Sequence, residues 1–464
     1  MTTTTSSTVD QLREPLAELR RRIAGVVHVP DDETWDAARA AWIVTVDQRP
    51  LAVLEARDAQ DVVTAVRWAR DHEVHVSAQP TGHGTTGAFE QVLIIRTGGL
   101  DHIDVDPAAR TVTIGAGVRA GQLLAALDGT GLTFLAGSNP DPSVVGMTVT
   151  GGLSWFGRAF GAGADSVVAV ELVDGMGRLR YVTATGDDAD LFWAVRGGGG
   201  DFGIVTSMTL ALHPAPQLYG GRLLWPIEQT RAVLDAFRTV TASAPEQLTV
   251  WFHCYRFPPF PEVPEPLRGQ SMASVAVAHL GSGEEAERLL APFRAVPGIV
   301  LDLLGDVPIA ALDGIAGEPT EPSPGRDWSV LLDDLDDRAV EALVEAVGAA
   351  AEHPLAMVQI RHLGGALARE HRGGGSFGPV PEPYLVGAIG IPFGPGGEPA
   401  VEAGFADIEA AVSSVSSGRA PLAFLGRRST DAWWSPETRT RLIAVKRSSD
   451  PLGVIRSNRP VGAS

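Results

Sequence analysis

The sequence of 464 residues contains one cysteine, Cys254, and one lysine, Lys446. A single thiol excludes an intramolecular disulfide framework and any thiolate-rich metal site. No H-E-x-x-H helix motif is present either, so no metal centre is expected. The near-absence of lysine among 37 basic residues reads as compositional bias and carries no mechanism. A formal net charge of −19, with no basic cluster, argues against a nucleic-acid partner. No apolar run approaches the ~20 residues that a membrane helix needs. The opening "MTTTTSSTVD" lacks the charged and apolar regions of a secretory signal, so a cytoplasmic location is expected. Neither "GMTVTGG" nor "GLSWFG" forms the nucleophile elbow of a hydrolase. There is no fixed-period repeat of the solenoid or propeller kind.

What remains is the composition of a folded chain, with 44% apolar and 20% charged residues, and a length that favours more than one structural unit. After the polar start, "VDQLREPLAELRRRI" places Leu12, Leu16, Leu19 and Ile23 on one helix face. "PLAVLEARDAQDVVTAVRWARDHEVHVSAQPTGHG" reads as strand, helix, strand and glycine turn. "VLIIRTGG", "HIDVDPAARTVTIGAG" and "VRAGQLLAALDGTG" continue with short strands and a helix. "SVVAVELVDGMGRLRYVTATGDDADLFWAVRGGGGDFGIVTSMTLALHP" gives two strands, a short helix, a glycine loop and a further strand. From "GGRLLWP" the pattern changes. Strands such as "LTVWFHCYRF" and "LAMVQIRHL" alternate with helices such as "EEAERLLAPF" and "DRAVEALVEAVGAAAE", the signature of an antiparallel sheet covered by helices, an α+β unit. "PFPEVPEPLRGQ" and "GGGSFGPVPEPY" read as loops.

Glycine is the informative residue. "GAGVRAG" follows a strand and opens a helix, but its spacing is one residue too long for a dinucleotide fingerprint, and a tight turn accounts for it. Three other loops say more: "PTGHGTTG", "AGSNPDPSVVGMTVTGG" and "VRGGGGDFGIV". Each follows an apolar stretch and leaves backbone N–H groups free to face an anion. None ends in the G-K-S/T of a nucleoside triphosphate site, so a pyrophosphate held by backbone donors fits better. His83 lies inside the first loop, between Gly82 and Gly84, where the backbone can approach a ligand closely.

In order and spacing these loops resemble those of vanillyl-alcohol oxidase-type flavoproteins, in their berberine bridge enzyme-like branch. "QPTGH", "VGMTVTGG" and "WAVRGGGGDFGIVT" match its motifs, as does "RLIAVKRSSDPLGVIRSN" near the C-terminus. The likeness runs from about Val29 to Asn458. It implies FAD, bonded through the flavin 8α-methyl carbon to the histidine of the first turn, here His83. It also implies cofactor contacts from Gln79, Pro80, Thr81, Gly82, Gly84, Thr85 and Gly87 of that turn. Ser138, Asn139, Val145, Gly146, Thr150, Gly151 and Gly152 of the second loop are implied with them, as are Gly203, Ile204 and Val205 of the third and Arg456 and Asn458 of the last segment. Many relatives add a second bond from a cysteine whose position here is Asn139, so attachment through one histidine follows. Gln79 and Thr81 replace an arginine and a glycine of the family turn.

The resemblance also implies a two-part FAD-binding domain, residues 30–216 with a C-terminal return over 418–464. A substrate-binding sheet is inserted at 217–417, and residues 1–29 form a flexible tail and helix. The catalytic glutamate common in that sheet is replaced by Gln359, which cannot accept a proton at neutral pH. His253, Tyr255 and His362 are the candidates to replace it, the first two on one strand face with Trp251. The expected function is an FAD-dependent oxidase of a small organic or secondary-metabolite substrate. It would take a hydride from a carbon bearing nitrogen or oxygen, with O2 as electron acceptor. A flavin-dependent oxygenase or cyclase, and a non-catalytic flavin-binding protein, are the alternatives.

Overall fold

A computed structural model describes residues 4–462 apart from 88, 260, 262, 264 and 349–353. Its first sheet holds β1 (Val26–His28), β2 (Ala52–Glu55), β3 (His75–Ala78) and β4 (Val92–Arg96), in the order β1-β2-β4-β3. β2, β4 and β3 run parallel, which needs a crossover, and the helix Ala59–Asp71 supplies it. Asp58 caps that helix by accepting from the Asp61 amide. Val62, Val66 and Trp68 then pack against Leu54, Val76 and Ile95 of the sheet. The outer edge of β3 is closed by the C-terminal segment. Val76 pairs in parallel with Ile455, its amide donating to Val454 O while Arg456 N donates back, each over 2.8 Å.

The second sheet is antiparallel throughout, with β5 (Ile103–Asp106), β6 (Thr111–Gly115), β8 (Val167–Val173), β9 (Leu179–Thr183) and β10 (Ile204–Ala211) in the order β5-β6-β10-β8-β9. Val173 and Ile204 pack into the core of the first sheet, so the two are continuous. β7 (Leu132–Thr133) and β11 (His213–Pro214) form a separate short pair.

The third sheet runs β15-β12-β14-β13-β18-β19-β17, with β16 also pairing with β12. Its strands are β12 (Tyr219–Pro226), β13 (Leu248–Arg256), β14 (Ser271–His279), β15 (Leu301–Asp302), β16 (Gly305–Asp306), β17 (Arg326–Leu332), β18 (Leu355–His362) and β19 (Tyr384–Gly390). Every pairing is antiparallel. Successive side chains alternate between two faces. Val250, Phe252, Cys254 and Ile360 meet the helices Thr230–Thr241, Asp337–Val347 and Gly397–Val412. Trp251, Ala276, Leu331 and Leu385 face the other way and share a core with Trp155, Phe156, Phe202 and Leu442. This is the α+β architecture that the sequence implies, with a helix-covered antiparallel sheet between the first two sheets and the C-terminal segment that returns to β3.

Some segments differ in extent from their sequence expectation. The first helix spans Thr4–Arg22 and so begins inside the stretch read as a polar tail, with Leu16 and Leu19 buried as the periodicity requires. The helix over "DRAVEALVEAVGAAAE" is present as Asp337–Val347, and residues 349–352 of that stretch lie outside the described residues. So do positions 260, 262 and 264 of the loop "PFPEVPEPLRGQ". In "GAGVRAG", a Cβ on Gly115 would stand 2.1 Å from Leu100 O, which is the tight-turn reading in atomic terms.

The lone lysine has a structural task. Lys446 Nζ donates to the carbonyls of Asp201 (2.8 Å) and Ile455 (2.6 Å) and to Asp450 Oδ2 (2.8 Å). The Asp201 carboxylate, inside the third glycine loop, accepts from the amides of Ser457 (3.0 Å) and Val461 (2.7 Å). The C-terminal return is thereby fixed to that loop.

Candidate active site

Four segments far apart in sequence converge at the end of β3. His83 Nε2 bonds Asp141 Oδ2 at 2.7 Å, joining the first loop to the second. Gly199 N donates to Val149 O at 2.8 Å, joining the third loop to the second. Asp201 holds the return, as described, and the return closes on the first loop. Asn458 Oδ1 accepts from Thr86 N and Thr86 Oγ1, each at 2.8 Å, and its Nδ2 donates to Gly84 O. The contacts form a closed ring.

Inside it, the first loop is shaped for close approach. Gly82 has φ of +86°, and a Cβ there would lie 2.9 Å from Ala41 Cβ, so only glycine fits. The segment that crowds it carries Trp42, whose amide donates to Thr81 O and whose ring stacks on His83 with centroids 4.2 Å apart. Arg119 also ion-pairs Asp141. Burial lowers the His83 pKa from its ordinary value, and the hydrogen bond to Asp141 works against that shift. The carboxylate fixes the tautomer with the proton on Nε2, and Nδ1 has no protein partner among the described residues.

The loop has room and donors for a bound diphosphate ester. Among the described residues, the amides of Thr81, Gly82, His83, Gly84 and Val145 donate to no protein group. No atom lies within 4 Å of a Cβ built on Gly84, and none within 3.8 Å of one on Gly146. Gln79 is buried beneath the turn in a network with Gln48 (2.6 Å) and Thr85. Pro80 lies against Gly146, and Thr150 Oγ1 bonds back to Met147 O at 2.9 Å. Asn139 donates to Pro319 O at 2.8 Å, tying the second loop to the segment before β17.

Other residues of the implied set serve packing. A Cβ on Gly151 would lie 2.1 Å from the Phe377 ring, which comes from the loop before β19. Gly152 meets Gly163 Cα at 3.0 Å in the same sense, while Ile204 is sealed in the core and Gly203 approaches Leu172. Ser138 and Val145 are buried, and Arg456 contributes its amide to the β3 edge.

The face of the third sheet that lies away from its helices is built in cross-strand rows. One row reads Arg222, Ala276, Trp251, Arg361 and Leu385; the next reads Leu224, Ser274, His253, Gln359 and Gly387. Tyr255 follows two residues beyond His253, and their rings stack at 5.0 Å. His253, Tyr255 and Gln359 therefore share a face. A Cβ on Gly387 would come within 3.2 Å of Gln359 Nε2, so glycine makes space for the amide. Trp251 is covered on both sides, by Trp155 with centroids 3.5 Å apart and by the Arg361 guanidinium 4.0 Å from its ring.

Two expectations change. His362 is an odd number of residues from Gln359 and so points to the helix-covered face, where its Nε2 accepts from Arg158 Nη1 at 2.8 Å. It does not join the other candidates. His253 is also no ordinary base. Burial first, then the guanidinium groups of Arg361 and Arg222, push its pKa down to about 3. Burial raises that of Tyr255, which keeps its proton. The candidates overlooked are Arg361, Arg222, Asp141 and Trp42. Arg361 had a signal, since it lies two residues from Gln359 and must share its face. Asp141 and Trp42 had none, because only the fold brings them to His83.

Residues 50–183 match a family model described as an FAD binding domain. (R)-6-hydroxynicotine oxidase of Paenarthrobacter nicotinovorans is 29% identical over 293 residues, 60% of either chain. The FAD-linked oxidoreductase YvdP of Bacillus subtilis (strain 168) is 28% identical over 311 residues, 66% of either chain. The chain thus spans 60% and 66% of the length of these curated relatives. Two solved structures share the fold over nearly their whole length. BBE-like 1 of Physcomitrella patens has a TM-score of 0.83 at 19% identity, covering 98% of this chain and 100% of that one. The 6-hydroxy-D-nicotine oxidase of Arthrobacter nicotinovorans has 0.78 at 24% identity, covering 94% and 97%. The chain thus carries an FAD binding domain over residues 50–183 and shares its fold with a berberine bridge enzyme-like protein and a nicotine oxidase.

Proposed function

We propose that the chain is an FAD-linked oxidoreductase whose flavin is bonded to the protein through His83 alone. The FAD-binding unit is residues 30–216 with the return 418–464, and the substrate unit is 217–417. The observation that carries this reading is the ring of contacts linking the three glycine loops and the return around the His83 turn. The unbonded amides of residues 81–84 and 145 suit the pyrophosphate, and Asn458 holds the turn that offers them. Bound there, FAD supplies a two-electron acceptor for a hydride from a C–N or C–O carbon of a small organic or secondary-metabolite substrate, with O2 restoring the oxidised form.

The protein's own groups then have defined work. Asp141 holds the Nε2 proton of His83 and leaves the Nδ1 lone pair as the nucleophile for attachment. Trp42 shields one face of that ring from water. His253, as a neutral imidazole, and Tyr255, as a protonated phenol, offer hydrogen bonds to the substrate, while Gln359 Oε1 orients Arg361. A second attachment has no candidate thiol. Asn139 occupies the relevant loop, and Cys254 faces the helices with its pKa pushed up to about 12 by burial.

After denaturing electrophoresis the wild-type band is expected to fluoresce as flavin, and His83→Ala to give a dark band. Peptide mapping should place the flavin mass on the peptide containing His83 and nowhere else. A dark wild-type band, with all the FAD released by acid, overturns covalent attachment.

A further inference from the structure

We propose that the substrate is an anion, with a carboxylate or similar charged oxygen group received by Arg361 and assisted by Arg222. This rests on the flavoprotein reading above and names the substrate class for the same site.

Three arginines are buried among the described residues, and carbonyls satisfy two of them, Arg158 and Arg196, as they do the half-buried Arg96. Arg158 bonds four backbone carbonyls and an imidazole. Arg96 bonds the carbonyls of Ala38, Ala40 and Gln79. Arg361 differs. It is 6% exposed, and its one protein acceptor among the described residues is Gln359 Oε1, reached by Nε at 3.0 Å. Trp251 and Phe424 clamp the guanidinium plane, with ring centroids 4.0 and 5.0 Å from its central carbon. The Nη groups are thus held in a fixed direction, with no hydrogen-bond acceptor among the described residues. Arg222 stands in the same cross-strand row. It spends Nη1 on Ala316 O at 2.8 Å, and its Nε is buried without a partner.

Neither guanidinium has an ion-pair partner among the described residues. Glu318 is the carboxylate whose field reaches Arg361, Tyr255 and His83, and it pairs with none of them. His253 Nδ1 and Ser274 Oγ, in the adjoining row, are also buried without partners. A buried Arg361 and a half-buried Arg222, neither of them ion-paired, are costly beside the unsatisfied donors and acceptors of the adjoining row. An arriving carboxylate removes that cost by accepting the paired N–H groups of Arg361 in the fork geometry that guanidinium favours. Gln359 is then a positioning residue. Where relatives carry a glutamate, an amide keeps Arg361 aligned without neutralising it.

The test uses the flavin-bearing protein with benzoate and its neutral counterpart benzyl alcohol, followed by calorimetry and by flavin absorption. Benzoate is expected to bind at least about tenfold more tightly, the usual worth of a charge-assisted bond. Arg361→Gln should abolish the preference, Arg222→Gln should reduce it, and Arg361→Lys should retain part of it. The lysine variant separates charge from packing, should the glutamine variant be poorly folded. Equal binding of the two ligands by flavin-bearing wild type overturns the proposal, as does an undiminished preference in folded Arg361→Gln. A preparation without flavin overturns the underlying reading instead, and its colour shows this before any ligand is added.

Discussion

Replacing Arg158 with alanine is expected to destabilise the protein by about 3–5 kcal/mol, read as a lower urea midpoint with little change in slope. Arg158 belongs to the short helix Gly157–Phe160 on the FAD side, and it is buried. Its guanidinium takes Leu248 O at 2.8 Å, Ala244 O at 3.0 Å, Pro245 O at 3.3 Å and Leu363 O, and also bonds His362. One side chain therefore holds the start of β13 and the end of β18 against the other unit. Alanine removes this donor from four carbonyls, of which Pro245 O keeps the Leu248 amide and the buried Leu248 O and Leu363 O lose the guanidinium without replacement by water. Burial lowers the Arg158 pKa to about 10, which still leaves it charged near neutral pH. Lysine at this position keeps the charge but cannot reach all these acceptors, so Arg158→Lys should recover only part of the loss. A full recovery would show that charge alone matters here.

Acid should unfold the protein steeply, beginning above the range where carboxylates titrate. Burial lowers His213 to about 4 and both His253 and His362 to about 3. In the unfolded chain each takes a proton near the ordinary value of ~6.5. Between that value and the folded one, the unfolded chain carries more protons, so stability falls as pH is lowered through 6.5. The combined slope of three such groups is about 4 kcal/mol per pH unit between pH 6 and 4. Asp165 and Asp327, whose carboxyls burial raises, act in the opposite sense and blunt the lower end of the window. Chemical denaturation at a series of pH values measures the slope. His362→Gln, which keeps an acceptor for Arg158, should remove about a third of it. A flat profile from pH 6.5 to 5 would show these histidines to be solvated. For the same reason, a pH dependence of turnover near neutrality should not trace to His253.

The secondary-structure order was legible because each unit announces its period. "DVVTAVRWA" has helical spacing and "LTVWFHCYRF" alternates, and both elements stand where those periods put them. Alternation also placed Trp251, His253 and Tyr255 on one face. The same rule, applied to "MVQIRHL", separates His362 from Gln359 and joins Arg361 to it. Period-two alternation alone carries that distinction. Burial was not legible. Nothing in "WFHCY" indicates that two arginines from β12 and β18 flank His253 and hold it neutral. Nor does the sequence near His83 indicate Asp141, whose place depends on the second loop folding back over the first. The glycines show both cases. Gly82 is explained by its own turn, but Gly151 only by Phe377, from a loop more than two hundred residues later in the chain.

The pairing of β3 with the segment around Ile455 fixes the order of events during synthesis. His75 and Gly453, hydrogen-bonded at 3.0 Å across that edge, are separated by 378 positions. A ribosome making ~5–20 residues per second leaves the edge of β3 bare for on the order of half a minute, while the whole inserted sheet emerges and folds. Through that interval the nascent chain presents an unpaired parallel edge, a template for wrong partners. The exposed Glu73 and His75 at the start of β3 give that edge some polar protection. Asn458 reaches Gly84 and Thr86 only once this edge is filled, so the turn around His83 takes its final shape late. On this schedule the free amides of the first loop are set in place only after the polypeptide has been made through Asn458.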